Sequence, residues 1–203
     1  MTAENDRYRV LAGEAGAELR VQRSRFAATA FPVASAEEFE ARLAAIAKED
    51  FDATHHCWAF RLVEEDLARS ADAGEPAGTA GRPILQAIVS AGLHDAAVVV
   101  SRWFGGVKLG TGGLARAYRD AAQAALAAAP AADRWIYERL AVTAAHRDAN
   151  AVFRMIAPPD LVLVGSRFGD MAEFEIDVRL SLVARTLEEL QARRIDVKRR
   201  GSS

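Results

Sequence analysis

A single cysteine, Cys57, occurs in the 203 residues, which excludes an internal disulfide and a multi-cysteine zinc site and fits a reducing cytosol. Long apolar runs are also missing: none approaches the ~18 residues that a membrane span requires. The opening segment MTAENDRYRV has no basic stretch followed by an apolar one, so no signal peptide is expected and the expected location is cytoplasmic, without membrane association. Charge of one sign is scarce too. Against 28 Asp and Glu stand 26 Lys and Arg, for a net charge of -2 and a pI of about 6.1. No global field therefore draws the chain onto nucleic acid, and any polyanion binding must come from a local patch. What is present is ordinary for a globular protein with a core, namely 51% apolar and 27% charged residues.

Hydrophobic periodicity divides the chain. ELRVQRSRFAATAFPV (18–33) alternates loosely, as one or two strands do. Ser35 opens SAEEFEARLAAIAKE, where Glu38 completes a capping box and Phe39, Leu43 and Ile46 share a helical face. HHCWAFRLV (55–63) reads as a strand, and ADAGEPAGTAGRP as a loop punctuated by glycine and proline. Pro83 suits the first turn of a helix buried through Ile84, Leu85, Ile88 and Val89 and stopped by Gly92. AAVVVSRWF is a buried strand, and LARAYRDAAQAALAAA is helical by composition. Pro130 ends that helix, and PAADRW reads as a linker. Beyond it come a strand (IYERLAVTAA), a helix capped by Asp148, and two strands joined at Gly169 and Asp170. A helix with Val183, Leu187 and Leu190 on one face and a short final strand, IDVKRR, complete the chain. That order is a split βαβ, ferredoxin-like unit. The expectation is an α+β protein of two domains, residues 1–134 and 135–203.

Two loops share one design, a glycine-rich segment that runs into a helix N-terminus: GEPAGTAGRP (74–83) and GGVKLGTGG (105–113). Unpaired amides and the helix dipole favour anions there, and glycine lets them come close. Gly105, Gly106, Gly110, Gly112 and Gly113 would present amides, Arg82, Arg102, Lys108 and Arg116 would contact phosphate, and Thr79, His55 and His56 would adjoin them. If the loops meet, they make a local cationic cleft on a mildly acidic protein; otherwise the glycines merely turn the chain. Neither loop is G-x-x-x-x-G-K-[ST]. Gly110, Gly112 and Ala115 satisfy G-x-G-x-x-A, but no acidic residue ends a second strand about 20 residues later, as a dinucleotide fold requires.

Other chemistry has less support in the pattern. His55 and Cys57 would share one face of a strand and His56 the other; two ligands do not make a metal site, so no metal and no cofactor are expected. Cys57, between a histidine and a tryptophan on a buried strand, reads as inert. Asp72 and Glu75 stand in a loop where acids are usually solvated, although Glu75 and His56 are the candidate acid–base residues if the chain is an enzyme. Trp58, Phe60, Trp103 and Phe104 read as core, with Trp103 placed to face a cleft.

HHCWAF, DAGEPAGTAGRP and RWFGGVKLGTGGLARAY, together with SRF at Ser24 to Phe26, occur in the order and at the spacing of the YigZ/IMPACT family, which the chain resembles over roughly residues 20 to 125. Ala73 departs from the family's usual second acid in DDGEP. The resemblance implies an N-terminal domain of the superfold shared by the second domain of a small-subunit ribosomal protein, RNase PH and the GHMP kinases. It also implies a ferredoxin-like C-terminal domain similar to the last domain of elongation factor G. Eukaryotic members regulate translation under amino-acid stress and carry an additional N-terminal domain, for which no room is expected here. Three functions follow as expectations: a non-catalytic regulator that binds RNA or a ribosome-associated partner through the cleft; an enzyme acting on a nucleotide or other phosphate-bearing ligand there; or a protein–protein interaction module. The sequence does not specify an oligomeric state.

Overall fold

The alternation between Glu18 and Val33 resolves into two strands of a hairpin. In the computed structural model, which describes residues 6–63 and 67–202, β1 (Arg7–Leu11) is followed by β2 (Ala15–Val21) and β3 (Ser24–Pro32). Residues 1–5, part of the segment read for a signal peptide, lie outside the described residues. β3 buries Ser24, Phe26, Ala28 and Ala30, because alternate side chains of a strand share a face. Gln22 and Arg23 join β2 to β3 with φ of 43° and 70°, the left-handed pair that matches a hairpin's twist. Ser35 caps α1 (Ala36–Glu49) by accepting the Glu38 amide at 3.1 Å. The return bond of the capping box is displaced one residue, Glu38 accepting the Ala34 amide at 2.7 Å.

β4 (His55–Arg61), β5 (Ala68–Ala71), α2 (Gly81–Ser90), β6 (Ala96–Trp103) and α3 (Gly110–Ala128) complete this region. The sheet order is β2-β3-β6-β4-β5, with every neighbouring pair antiparallel. Central β6 is buried from Ala96 to Arg102, which accounts for its nearly unbroken apolar run. One face of the sheet packs on α2 and α3 through Phe26, Cys57, Val98, Val100, Ile84 and Tyr118. The other packs on α1 through Phe31, Phe39, Phe60 and Val99. On α2 the buried side is Ile84, Ala87 and Ile88. Val89, expected inside, is 48% exposed, since one residue past Ile88 the helix has turned about 100° away from the sheet. One groove is lined by Arg82 and Ala115, near the starts of α2 and α3, and another by Ala87, Ser90, Gln123 and Ala127 near their ends. The two helices therefore run alongside with both N-termini at one end.

PAADRW, expected as a linker, contains β7 (Ala131–Trp135), paired with β1. Its side chains stay largely outside the core, so the composition carries no strand signal. The chain divides into two compact units, Arg9–Asp133 and Met1–Tyr8 with Arg134–Ser203. The latter, the C-terminal unit, holds β8 (Tyr137–Ala144), α4 (Ala149–Met155), β9 (Leu161–Phe168), β10 (Ala172–Arg179), α5 (Val183–Ala192) and β11 (Asp196–Ser202). Its order β11-β8-β10-β9, all antiparallel, is the split βαβ arrangement. The protein is α+β.

Asp148 precedes α4 but makes no side-chain cap bond. A one-turn 3-10 helix (His146–Asp148) precedes α4 and leaves Asp148 at φ -98°, ψ -9°, whereas a capping side chain works from extended backbone. Asp6 is buried and accepts bonds from Arg179 at 2.8 Å and from the Ser181 amide at 2.9 Å. Burial works against its charge, but these bonds outweigh it and hold the carboxyl down at about 2. Among the described residues no helix is long and apolar enough to cross a membrane.

Candidate functional site

Antiparallel pairing brings both glycine loops to one end of the five-stranded sheet. Arg102, near the end of β6, lies opposite His55 at the start of β4 and Phe26 near the start of β3. Ala71, ending β5, lies opposite Trp58. The β2–β3 turn, residues 50–54, the 72–80 loop and the 104–109 loop therefore gather at this end, with the N-termini of α2 and α3. Contacts tie them together. The Thr54 amide donates to the Arg102 carbonyl at 2.7 Å, the Phe104 amide to Thr54 Oγ1 at 3.1 Å, and the Trp103 indole to Asp52 at 2.9 Å. A β-carbon on Gly105 would stand 2.1 Å from the carbonyl carbon of Arg23; only glycine lets this loop lie against the β2–β3 turn.

What joins the two glycine loops is an ion pair within the chain. Arg102, expected to contact phosphate, is 4% exposed, and its Nη1 donates to Glu75 Oε1 at 2.5 Å. The same carboxylate oxygen accepts from the Tyr118 hydroxyl at 2.8 Å. Ser24 Oγ accepts from Arg102 Nη2 at 3.4 Å and from the Gly105 amide at 3.2 Å. Glu75 is therefore not a solvated loop acid but the buried counter-ion of Arg102, and the Gly105 amide is already used. His55 Nε2 stands 4.0 Å from Glu75, and its Nδ1 bonds the Ala73 carbonyl at 3.0 Å.

The amides at the start of α2 are likewise taken. Asp72 accepts from the amides of Gly78, Ala80 and Gly81 at 2.8, 2.9 and 2.9 Å. Burial opposes its charge, but the three amides outweigh it and lower its carboxyl below the ordinary value. In effect the loop binds an anion, and the anion is the chain's own Asp72. Thr79 is also turned inward, its hydroxyl donating to the Pro76 carbonyl at 2.7 Å.

α3 differs. It starts after Leu109 with no side-chain cap and no acid in its first turn. Gly106 and Gly110 have positive φ, 82° and 70°, with open space where a β-carbon would stand. Gly112 has ordinary backbone and nothing within 4 Å of a β-carbon, so neither packing nor backbone geometry requires glycine there. A β-carbon on Gly113 would stand 3.2 Å from the Leu109 side chain. Arg82, Lys108 and Arg116 are exposed, and among the described residues none pairs with a carboxylate. Arg23, which the sequence did not single out, joins them: it is exposed, has no carboxylate partner among the described residues, and lies with its backbone against Gly105. Its only signal was a basic residue in a turn, and the contact that places it spans some eighty positions.

The remaining candidates separate by face. His56, on the opposite face of β4 from His55, bonds Ser101 Oγ through Nδ1 at 3.1 Å. Cys57 is buried and donates to the Asp72 carbonyl at 2.9 Å. Burial pushes its thiol up to about 12, so it is neutral and not a nucleophile. Burial likewise raises the Tyr118 hydroxyl, keeping it protonated. Phe60 is core, whereas Phe104 is 47% exposed. Among the described residues no group of three or more His, Cys, Asp or Glu is arranged to hold a metal.

The Impact N-terminal domain model matches residues 22–126, just over half of the chain. This protein belongs to the IMPACT family. As a family member it is 53% identical over 112 residues to an IMPACT family member encoded in the pol 5′ region of Thermus thermophilus, covering 55% of this chain and 60% of that protein. It is 37% identical over 109 residues to YigZ of Escherichia coli, covering 52% and 53% of the two chains. The chain thus spans roughly half of the length of these curated relatives. A solved structure described as a hypothetical protein is similar over 95% of this chain and 97% of its own, with a TM-score of 0.68 at 22% identity; that likeness shows the fold of this family member.

Proposed function

We propose that this chain is a non-catalytic translation- or stress-related regulator that binds RNA, or a ribosome-associated partner, at the loop end of its N-terminal unit. The observation that carries this reading is the set of exposed cations Arg23, Arg82, Lys108 and Arg116. Among the described residues none has a carboxylate partner, and all lie near the uncapped start of α3. Cations without internal partners, beside open amides, suit phosphates from outside. The cleft differs from its sequence-based form: Arg102 joins the two loops through Glu75, the Gly105 amide and the Thr79 hydroxyl are spent on Ser24 and Pro76, and Gly106, Gly110, Gly112, Lys108, Arg82 and Arg116 face the ligand. A binding role is favoured over an enzymatic one because the Glu75 carboxylate is bound by Arg102 and Tyr118 rather than presented to a substrate.

Gel shifts against single-stranded RNA, duplex RNA and DNA at rising salt test the proposal. Counter-ion release predicts that log affinity for a single strand falls against log salt with a slope of about -0.7 per phosphate contacted. Lys108→Ala and Arg116→Ala are each expected to flatten that slope by about one contact. Absent or salt-independent binding rejects the RNA reading.

A further inference from the structure

We infer that the RNA bound at the loop end is single-stranded, with an unpaired base stacked on the ring of Phe104; this rests on the RNA reading above. Two other aromatic rings near this end are occupied. Trp103 lies beneath the Arg25 guanidinium, 3.5 Å from the ring centroid, and Phe26 packs edge-on against Tyr118 in the core. Phe104 is 47% exposed, yet it is anchored. Its amide donates to Thr54 Oγ1, and the buried Arg102 guanidinium lies 5.5 Å from its ring centroid, backing the ring from the protein side.

The next residues, Gly105 and Gly106, have no side chains to screen the ring. Beyond them Lys108 is exposed, as is Arg23 on the far side of Gly105, and among the described residues both lack a carboxylate partner. An aromatic face bordered by unpaired cations suits a strand whose bases stack while its phosphates meet the charges. A duplex keeps its base faces inside the helix and offers the ring nothing comparable. Phe51 is more exposed, at 83%, but it stands between Asp50 and Asp52, whose charges repel a phosphate backbone. Its position sets the acidic border of the site, so the stacking residue is Phe104.

The test is fluorescence anisotropy of the full chain with a labelled, unstructured oligoribonucleotide, alone and annealed to its complement. The single strand is expected to bind at least tenfold more tightly than the duplex. Phe104→Ala is expected to weaken single-strand binding roughly tenfold, while Phe104→Trp restores it and Phe51→Ala leaves it unchanged. Equal affinity for the duplex, or a Phe104→Leu variant that melts and binds like the wild type, overturns the stacking inference and leaves the RNA reading standing. Binding to neither oligonucleotide overturns both, including the case in which a protein is the partner.

Discussion

In the C-terminal unit each acid of β10 meets an arginine from a different strand of the sheet, whereas around the start of α3, among the described residues, four cations meet no carboxylate. Asp177 pairs with Arg139 of β8 at 2.8 Å, Glu173 with Arg167 of β9 at 2.6 Å, and Glu175 with Arg200 of β11 at 2.7 Å. The open face of that sheet contains a shallow cavity of 660 Å³ lined by Arg167, Lys198, Arg199 and Arg200, yet much of its charge is answered from within. Counting basic residues does not separate the two regions; pairing does. A surface whose charges already have partners gains little from a polyanion, while one whose charges lack them gains the full interaction.

The largest test of this contrast concerns the one arginine at the loop end that does have a partner. Glu75→Gln leaves the Arg102 charge buried without compensation and is expected to cost about 3–5 kcal/mol in chemical denaturation. A loss below about 1 kcal/mol would mean that the ion pair is not what joins the loops. Next in size is acid sensitivity anchored in the C-terminal unit. The Asp6 carboxyl is held at about 2, below the ordinary 3.8. A lowered folded-state pKa stabilises fully above the unfolded value and is lost as pH falls from near 4 through 2. The expected loss is about 2 kcal/mol, seen as a falling urea midpoint whose pH dependence in that window Asp6→Asn makes shallower by that amount.

Smaller again is Gly112→Ala. Alanine at this helical position, which has room for a β-carbon, is expected to stabilise the protein by about 1 kcal/mol. It should also weaken RNA binding by crowding the start of α3. A variant that is both more stable and equally tight would remove Gly112 from the site. Smallest is Asp177→Asn, which removes the charge from a half-buried pair but leaves Arg139 one acceptor, and is expected to cost up to about 1 kcal/mol without altering RNA affinity or its salt slope. A changed slope would erase the distinction between the two regions.

Much of the fold was legible in local pattern. Period-two burial marks β3, the apolar run of β6 announces a central strand, and His55 and Cys57 share a face as strand geometry requires. β5 and β7 were not legible, because four or five mostly unburied residues held by main-chain bonds leave no hydrophobic signature. The helix termini illustrate a second limit. Glycines running into α2 and α3 look alike in sequence, but Asp72 closes one start and, among the described residues, no side chain closes the other. The difference depends on where a carboxylate six to nine residues upstream folds back. Arg102 was read as a surface cation for a related reason. Burial of a charge is decided by its partner, and Glu75 lies 27 positions away in a loop whose composition suggests solvent.

Cys57 gives the chain a chemical clock of its own. Its thiol is the only one present, it is shut beneath the sheet's helical face, and it donates to the carbonyl of Asp72, the residue that closes α2. A thiol reagent can reach it only through an opening of that packing, and lifting of the 72–80 segment is one such opening. The rate of modification therefore reports how often the protein opens around Cys57 under native conditions. A ligand that bridges the loops would slow that clock.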